Sequence, residues 1–219
     1  MSAYRNQKTP SSTILFFKAT NIYKKAAGIF FSLLISLTST AQHEELKQKI
    51  DAFVSAKADD YEKKYLNVTE PDYGELASTN FDFHDYFELK AKVRTENSIG
   101  NNVKVRFNCS FYAYENENER NYALSFWFKN FIEAKRITPG REVRTYYGAT
   151  PTIIIINQDH ICIINLSCFD SDPDLLREIS KEFMKYFGTP DSMVIEIDCD
   201  GPLKWTKNPP DPKDPAWRR

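Results

Sequence analysis

The sequence predicts an α+β domain: a mainly antiparallel meander sheet, with a helix ahead of it and a C-terminal helix followed by a last strand. Three observations predict this. Apolar residues recur at helical spacing from about His43, they alternate at period two from Phe87, and a second helix begins at Pro173 with both of its ends marked.

The chain opens on a strip foreign to the rest. Residues 1–41 hold five basic residues (Arg5, Lys8, Lys18, Lys24, Lys25) and no Asp or Glu, although the chain has 30 acidic residues. A twelve-residue apolar run, Ala26 to Leu37, leads to Thr38, Ser39, Thr40 and Ala41. This is the order of a signal peptide, with Ser39 and Ala41 where the peptidase requires small side chains. The run falls short of the roughly 20 apolar residues that span a bilayer. A buried helix or an uncut anchor is the alternative, and the order of the three regions favours cleavage before Gln42. No cysteine follows the run to take a lipid. The expected product is exported, periplasmic or extracellular, with no membrane span in the mature chain.

Removing the five basic residues leaves 24 Lys+Arg against 30 Asp+Glu, a formal charge of −6 on 178 residues. Binding to nucleic acid rests on Lys and Arg replacing counterions, so that class is excluded as an expected partner. The length suits one domain, 42–200, and the 14% aromatic content supplies burial rather than disorder.

Leu46, Ile50, Phe53, Val54, Tyr61 and Tyr65 mark the first helix, read from about His43 to Leu66. Asn67 to Asp85, with Pro71 and Gly74, reads as a loop. Phe87, Leu89, Ala91, Val93 and Thr95 then alternate with charged residues, and Val103 to Ala113 continue the alternation after a turn. Pairing Thr95 with Val103 sets Ala91 against Phe107, Leu89 against Cys109 and Phe87 against Phe111, so every inward position meets an apolar partner.

A third strand is expected at Tyr122 to Phe128, after the acidic loop Glu115 to Glu119. Its register places Tyr112, Tyr114 and Trp127 together on the opposite face. Left open, these rings would stack on sugars or anchor a protein; the favoured expectation is that the first helix covers them, because it needs an apolar seat. A fourth strand is read at Arg141 to Tyr147. Ile153 to Ile156 and Ile161 to Ile164 are apolar on both faces and form a central hairpin. The helix from Pro173 has Asp172 as cap, Leu176, Ile179, Phe183 and Phe187 on one stripe, and Gly188 as terminator. Met193 to Cys199 is the closing strand. The tail, 201–219, carries five of the eleven prolines plus Trp205 and Trp217, and is read as a loose end or a strap in preference to a partner-docking segment.

Of the four cysteines, Cys168 and Cys199 are the pair with a geometric reason to bridge, since each ends a strand and the intervening helix would bring those strands side by side in parallel. Cys162 and Cys168, six residues apart on one strand, stand roughly 20 Å from each other.

Chemistry has thin support. Asp159-His160-x-Cys162 offers acid, base and thiol, but strand geometry stretches the last two apart and the Ile run buries the thiol. Asp82, His84 and Asp85 share a loop. Asp170-x-Asp172-x-Asp174 lacks the glycine and closing glutamate of a calcium loop. No phosphate loop, HExxH or paired CxxC is present, so no cofactor or metal is expected. A non-catalytic envelope module that binds a protein or glycan is favoured. A small Cys/His hydrolase or transferase, using Cys162 with His160 or His84 with its acids, is the alternative, and a carrier of apolar ligands the weakest.

Overall fold

The structure, a computed structural model, describes residues 43–66, 76, 80–97, 99–131, 140–142, 150–169, 173–211 and 213. The apolar stripe that opens the domain forms helix α1 (43–57), with Leu46, Ile50 and Phe53 buried. The helix ends sooner than its periodicity predicts. Residues 58–60 turn, and Tyr61–Tyr65 is strand β1. Tyr61 and Tyr65 are four apart, a spacing that fits one helical turn and also two strand repeats, so periodicity alone cannot separate the two.

Strand β2 is Phe83–Ala91, which begins inside the stretch read as a loop. A small arm follows, β3 (Thr95–Glu96) with β4 (Asn102–Val103), and then β5 (Arg106–Ala113). Thr95 does pair with Val103. The main ladder is displaced by two, setting Leu89 against Phe107, Phe87 against Cys109 and Asp85 against Phe111. Residues 91–94 oppose only 104–105; the Ala91 amide reaches the carbonyl of Val105 at 2.8 Å, and the Lys92 amide continues the ladder on the other side by bonding the carbonyl of Asp60, just ahead of β1, also at 2.8 Å. An even displacement leaves each side chain on its face, so the inward set survives.

Residues 122–128 are helical, correcting the expected third strand: helix α2 is Glu117–Phe131. Asn116 caps it, its side-chain oxygen accepting from the amides of Asn118 (3.0 Å) and Glu119 (3.1 Å). Arg120, Ala123, Leu124 and Trp127 form the buried stripe, while Tyr122 and Phe126, read as alternating strand residues, are exposed. The strand expected at 141–147 falls largely outside the described residues.

Strands β6 (Thr152–Ile156) and β7 (His160–Leu166) form the central hairpin, buried on both faces. Helix α3 (Pro173–Phe187) carries Asp174 in its first turn and Lys185 in its last, matching the helix dipole. Strands β8 (Met193–Ile197) and β9 (Leu203–Lys207) complete an antiparallel sheet of seven strands ordered β1-β2-β5-β7-β6-β8-β9. The simple meander is broken on both sides of the β6–β7 hairpin, where β7 rather than β6 joins β5 and β6 rather than β7 joins β8. Tail residues 203–207 are thus an edge strand, and Asn208 ties the chain beyond it to the carbonyls of Pro190 (2.8 Å) and Ser192 (3.0 Å).

Alternation divides the core in two. One side gathers α1, α3 and sheet residues Phe87, Phe107, Phe111, Ile155 and Ile164; the other gathers α2, Tyr112, Tyr114, Ile154, Ile163 and Ile195. Phe53 of α1 meets Phe183 and Phe187 of α3 edge to face, with ring centres 5.6 and 5.5 Å apart.

Cys168 and Cys199 form a disulfide, with Cα atoms 5.5 Å apart. Their strands, β7 and β8, run parallel as the sequence suggests but are not neighbours, because β6 lies between and pairs with both. Two strand spacings would be about 9.5 Å. The segments after β7 and β8 therefore converge beyond the first residue of β6, and the bridge closes over it.

Candidate functional site

Tyr112, Tyr114 and Trp127 are the residues that sequence offers as a binding face, and the structure buries all three, at 0%, 1% and 0% exposure. The cover is α2, whose Ala123, Leu124 and Trp127 share one cluster with both tyrosines, and not α1, which seats on the other face. These three rings are core, and none presents itself to a partner.

The reactive side chains are likewise closed. Cys109 and Cys162 are free thiols, each fully buried in the α1/α3 core, and loss of solvation pushes both thiols up, well away from the thiolate. We expect iodoacetamide at mildly alkaline pH to leave the folded, oxidised chain unlabelled and to modify both residues once guanidinium unfolds it. Labelling of either thiol in the native state, read by mass spectrometry, would contradict this burial.

His160 is bound into a polar network at the β6–β7 turn. Its Nδ1 lies 2.7 Å from Asp159 Oδ1 and its Nε2 lies 2.8 Å from Asn157 Nδ2. Asn157 Nδ2 also donates to the carbonyl of Phe187 at 3.0 Å, and Asn157 Oδ1 accepts from Ser192 Oγ at 2.5 Å. The amide is thereby fixed with its nitrogen toward the ring, so Nε2 accepts and Nδ1 carries the proton toward Asp159. Arg120 extends the network, bonding the Asn157 carbonyl, Glu117 Oε1 (3.1 Å) and Asn121 Oδ1 (2.6 Å). Burial lowers the guanidinium from its usual value, opposed by Glu117. This network joins α2, the hairpin and the end of α3; its bonds run within the fold.

His84 stacks on Tyr112, its register partner, with ring centres 4.6 Å apart. Alternation sends Asp85 to the opposite face, so the Asp82, His84 and Asp85 group does not converge. Among the described residues, no three His, Cys, Asp or Glu side chains gather where a metal could sit. No described helix is long and apolar enough to cross a membrane.

An open cleft of about 290 Å³ lies on the α1 side of the β1–β2 edge, lined by Lys47, Ile50 and Asp51 of α1, Lys63 and Tyr65 of β1, and Phe83, His84 and Asp85 of β2. Lys63 and Asp85 stand 3.5 Å apart, each 19% exposed. The Lys63 ammonium lies over two rings, 4.5 Å from the centre of Tyr65 and 4.0 Å from that of Phe87. Tyr65 stands 65% exposed at the opening. No family model, curated protein or solved structure matches the chain. The cleft's own chemistry therefore carries the functional argument.

Sequence reading missed this cleft for two local reasons. Placing Tyr61 and Tyr65 on a helix removed β1, and placing residues 67–85 in a loop left Asp85 without a facing direction. The signal was Phe83-x-Asp85-x-Phe87, an acid at an inward position of an alternating run, with Lys63 at the matching place in Tyr61-x-Lys63-x-Tyr65.

Proposed function

We propose that this chain is an exported bacterial envelope protein that acts by binding, with a protein or a glycan as its partner, and not by catalysis. Export is supported by the order of basic strip, apolar run and small residues ending at Ala41. It is supported independently by the Cys168–Cys199 bridge, since disulfides persist in oxidising compartments and are rare where thiols are kept reduced.

The observation that carries the binding reading is the open cleft at the sheet edge, where exposed aromatic and paired charged side chains meet. Cys162, the nucleophile a Cys/His enzyme would need, is buried with its thiol held protonated, and His160 is engaged on both ring nitrogens. The formal mature charge of −6 leaves nucleic acid outside this reading.

Expression of the full chain in a Gram-negative host tests export. We expect a periplasmic product that begins at Gln42 and carries one disulfide, read from intact mass and N-terminal peptides. A cytoplasmic product with residues 1–41 still attached would overturn the localisation. Binding is tested with that product as bait in envelope extract, beside a Tyr65→Ala bait. Recovery of the same protein or glycan only by the parent chain is the supporting result; identical recoveries would remove the cleft from the interaction.

A further inference from the structure

We infer that the cleft between α1 and the β1–β2 edge holds a neutral, hydroxyl-rich ligand: one unit of a saccharide. This rests on the binding reading above and names the ligand class.

Two charged side chains stand among the inward positions of this edge, paired with each other and with the Lys63 ammonium seated over the rings of Tyr65 and Phe87. Lys63 and Asp85 occupy inward positions, in line with Tyr61 and Phe87, where an apolar pair would serve the core better. A part-buried ion pair adds little stability and frequently less than hydrophobic residues of the same volume. An inward lysine on an edge strand does guard against sheet extension. That accounts for Lys63 on β1, but not for Asp85 on the inner strand β2. Recognition supplies a reason for both.

The lining then selects among ligands. Lys47 and Lys63 are balanced by Asp51 and Asp85, so the cleft has no net charge with which to hold an anion or a cation. It does present ammonium donors beside carboxylate acceptors. A hydroxyl group both donates and accepts, so a polyol satisfies such a set with each of its oxygens, whereas an amine or a carboxylate satisfies only half of it. Tyr65, 65% exposed at the opening, adds a ring surface on which the C–H face of a pyranose can lie, while Phe83 is half-buried against the core with the Lys47 ammonium 5.4 Å from its ring centre. At about 290 Å³ the cleft stands at the low end of small-molecule sites. That suits a single sugar ring, and because the cleft is open, a longer glycan can leave it.

The test is an amide chemical-shift titration of the purified, disulfide-intact chain with glucose, galactose, N-acetylglucosamine and the β-linked disaccharides cellobiose and chitobiose. We expect saturable shifts with at least one of these, centred on residues 47–51, 63–65 and 83–85. Tyr65→Ala, at a position 65% exposed, weakens the binding by about tenfold or more, as loss of a stacking ring does. Asp51→Asn, on the exposed side of α1, also weakens it, whereas Phe169→Ala, which lies outside the cleft, leaves it unchanged. No saturable shift with any sugar, shifts centred elsewhere, or shifts indifferent to Tyr65→Ala would overturn the saccharide assignment. A protein recovered from envelope extract in a Tyr65-dependent way, with no sugar response, would overturn this inference while sparing the binding reading. Failure of both overturns both.

Discussion

Trp127→Ala should lower the unfolding free energy by about 3–5 kcal/mol, the range for truncating a large aromatic in a packed core. Trp127 is 0% exposed and belongs to the cluster that joins α2 to Tyr112, Tyr114 and the isoleucines of β6 and β7. Removing the indole empties the middle of that contact, and the neighbouring sheet residues are held by hydrogen bonds on both sides, so they can collapse only partly into the space. For a domain whose whole stability is about 5–15 kcal/mol, the loss is large but leaves a folded population under mild conditions. Urea unfolding followed by circular dichroism measures it. Tyr122→Ala on the same helix is the control: Tyr122 is 49% exposed, and its removal should shift stability by no more than about 0.5 kcal/mol. If the two variants lose similar amounts, α2 does not cover the sheet as described. If Trp127→Ala lost binding with its stability intact, the residue would belong to a surface after all.

Much of the architecture was legible in the sequence because a few elements carried signals that only one structure satisfies. The isoleucine runs of β6 and β7 imply burial on both faces, and that is where the hairpin sits, fourth and fifth in a sheet of seven strands. Helix α3 announced both ends through Pro173 and Gly188. The losses came where one pattern fitted two periods. Residues 122–128 alternate well enough to pass for a strand, yet Ala123, Leu124 and Trp127 are also one helical stripe. The deciding signal lay outside the run, in Asn116-Glu117-Asn118-Glu119, a capping residue followed three positions later by a glutamate. That misreading put Trp127 on a strand beside Tyr112 and Tyr114 and left α1 as their expected cover, whereas Trp127 belongs to α2 and α2 is the cover. The two-residue displacement of β2 against β5 was beyond reach for another reason. It lies in the irregular stretch where residues 91–94 stand against 104–105, next to β1, whose Tyr61 pairs with Ala91 and which periodicity had assigned to a helix. The cleft at the sheet edge depends on that same strand.

Removing the Cys168–Cys199 bridge should cost about 3–4 kcal/mol, the loop-closure value for residues 31 apart in sequence. The closed loop contains the whole of α3 and β8, so the unfolded chain without the bridge gains the freedom of both. The folded chain has less to lose locally. Strand β8 remains paired with β6 on one side and β9 on the other, and α3 keeps Ile179, Phe183 and Phe187 in the core. The expected outcome for the Cys168→Ala, Cys199→Ala double variant is therefore an unchanged circular dichroism spectrum with an earlier urea midpoint. Using the double variant avoids leaving one thiol to pair wrongly with Cys109 or Cys162 during unfolding. Reduction of the parent chain should move its midpoint toward that of the variant and no further, because the remaining cysteines are already free. A loss below about 1 kcal/mol would mean that the loop is held together in the unfolded state by other contacts, contrary to the chain-entropy argument. A changed native spectrum would instead place the bridge among the contacts that shape the sheet, where the strands flanking β6 converge.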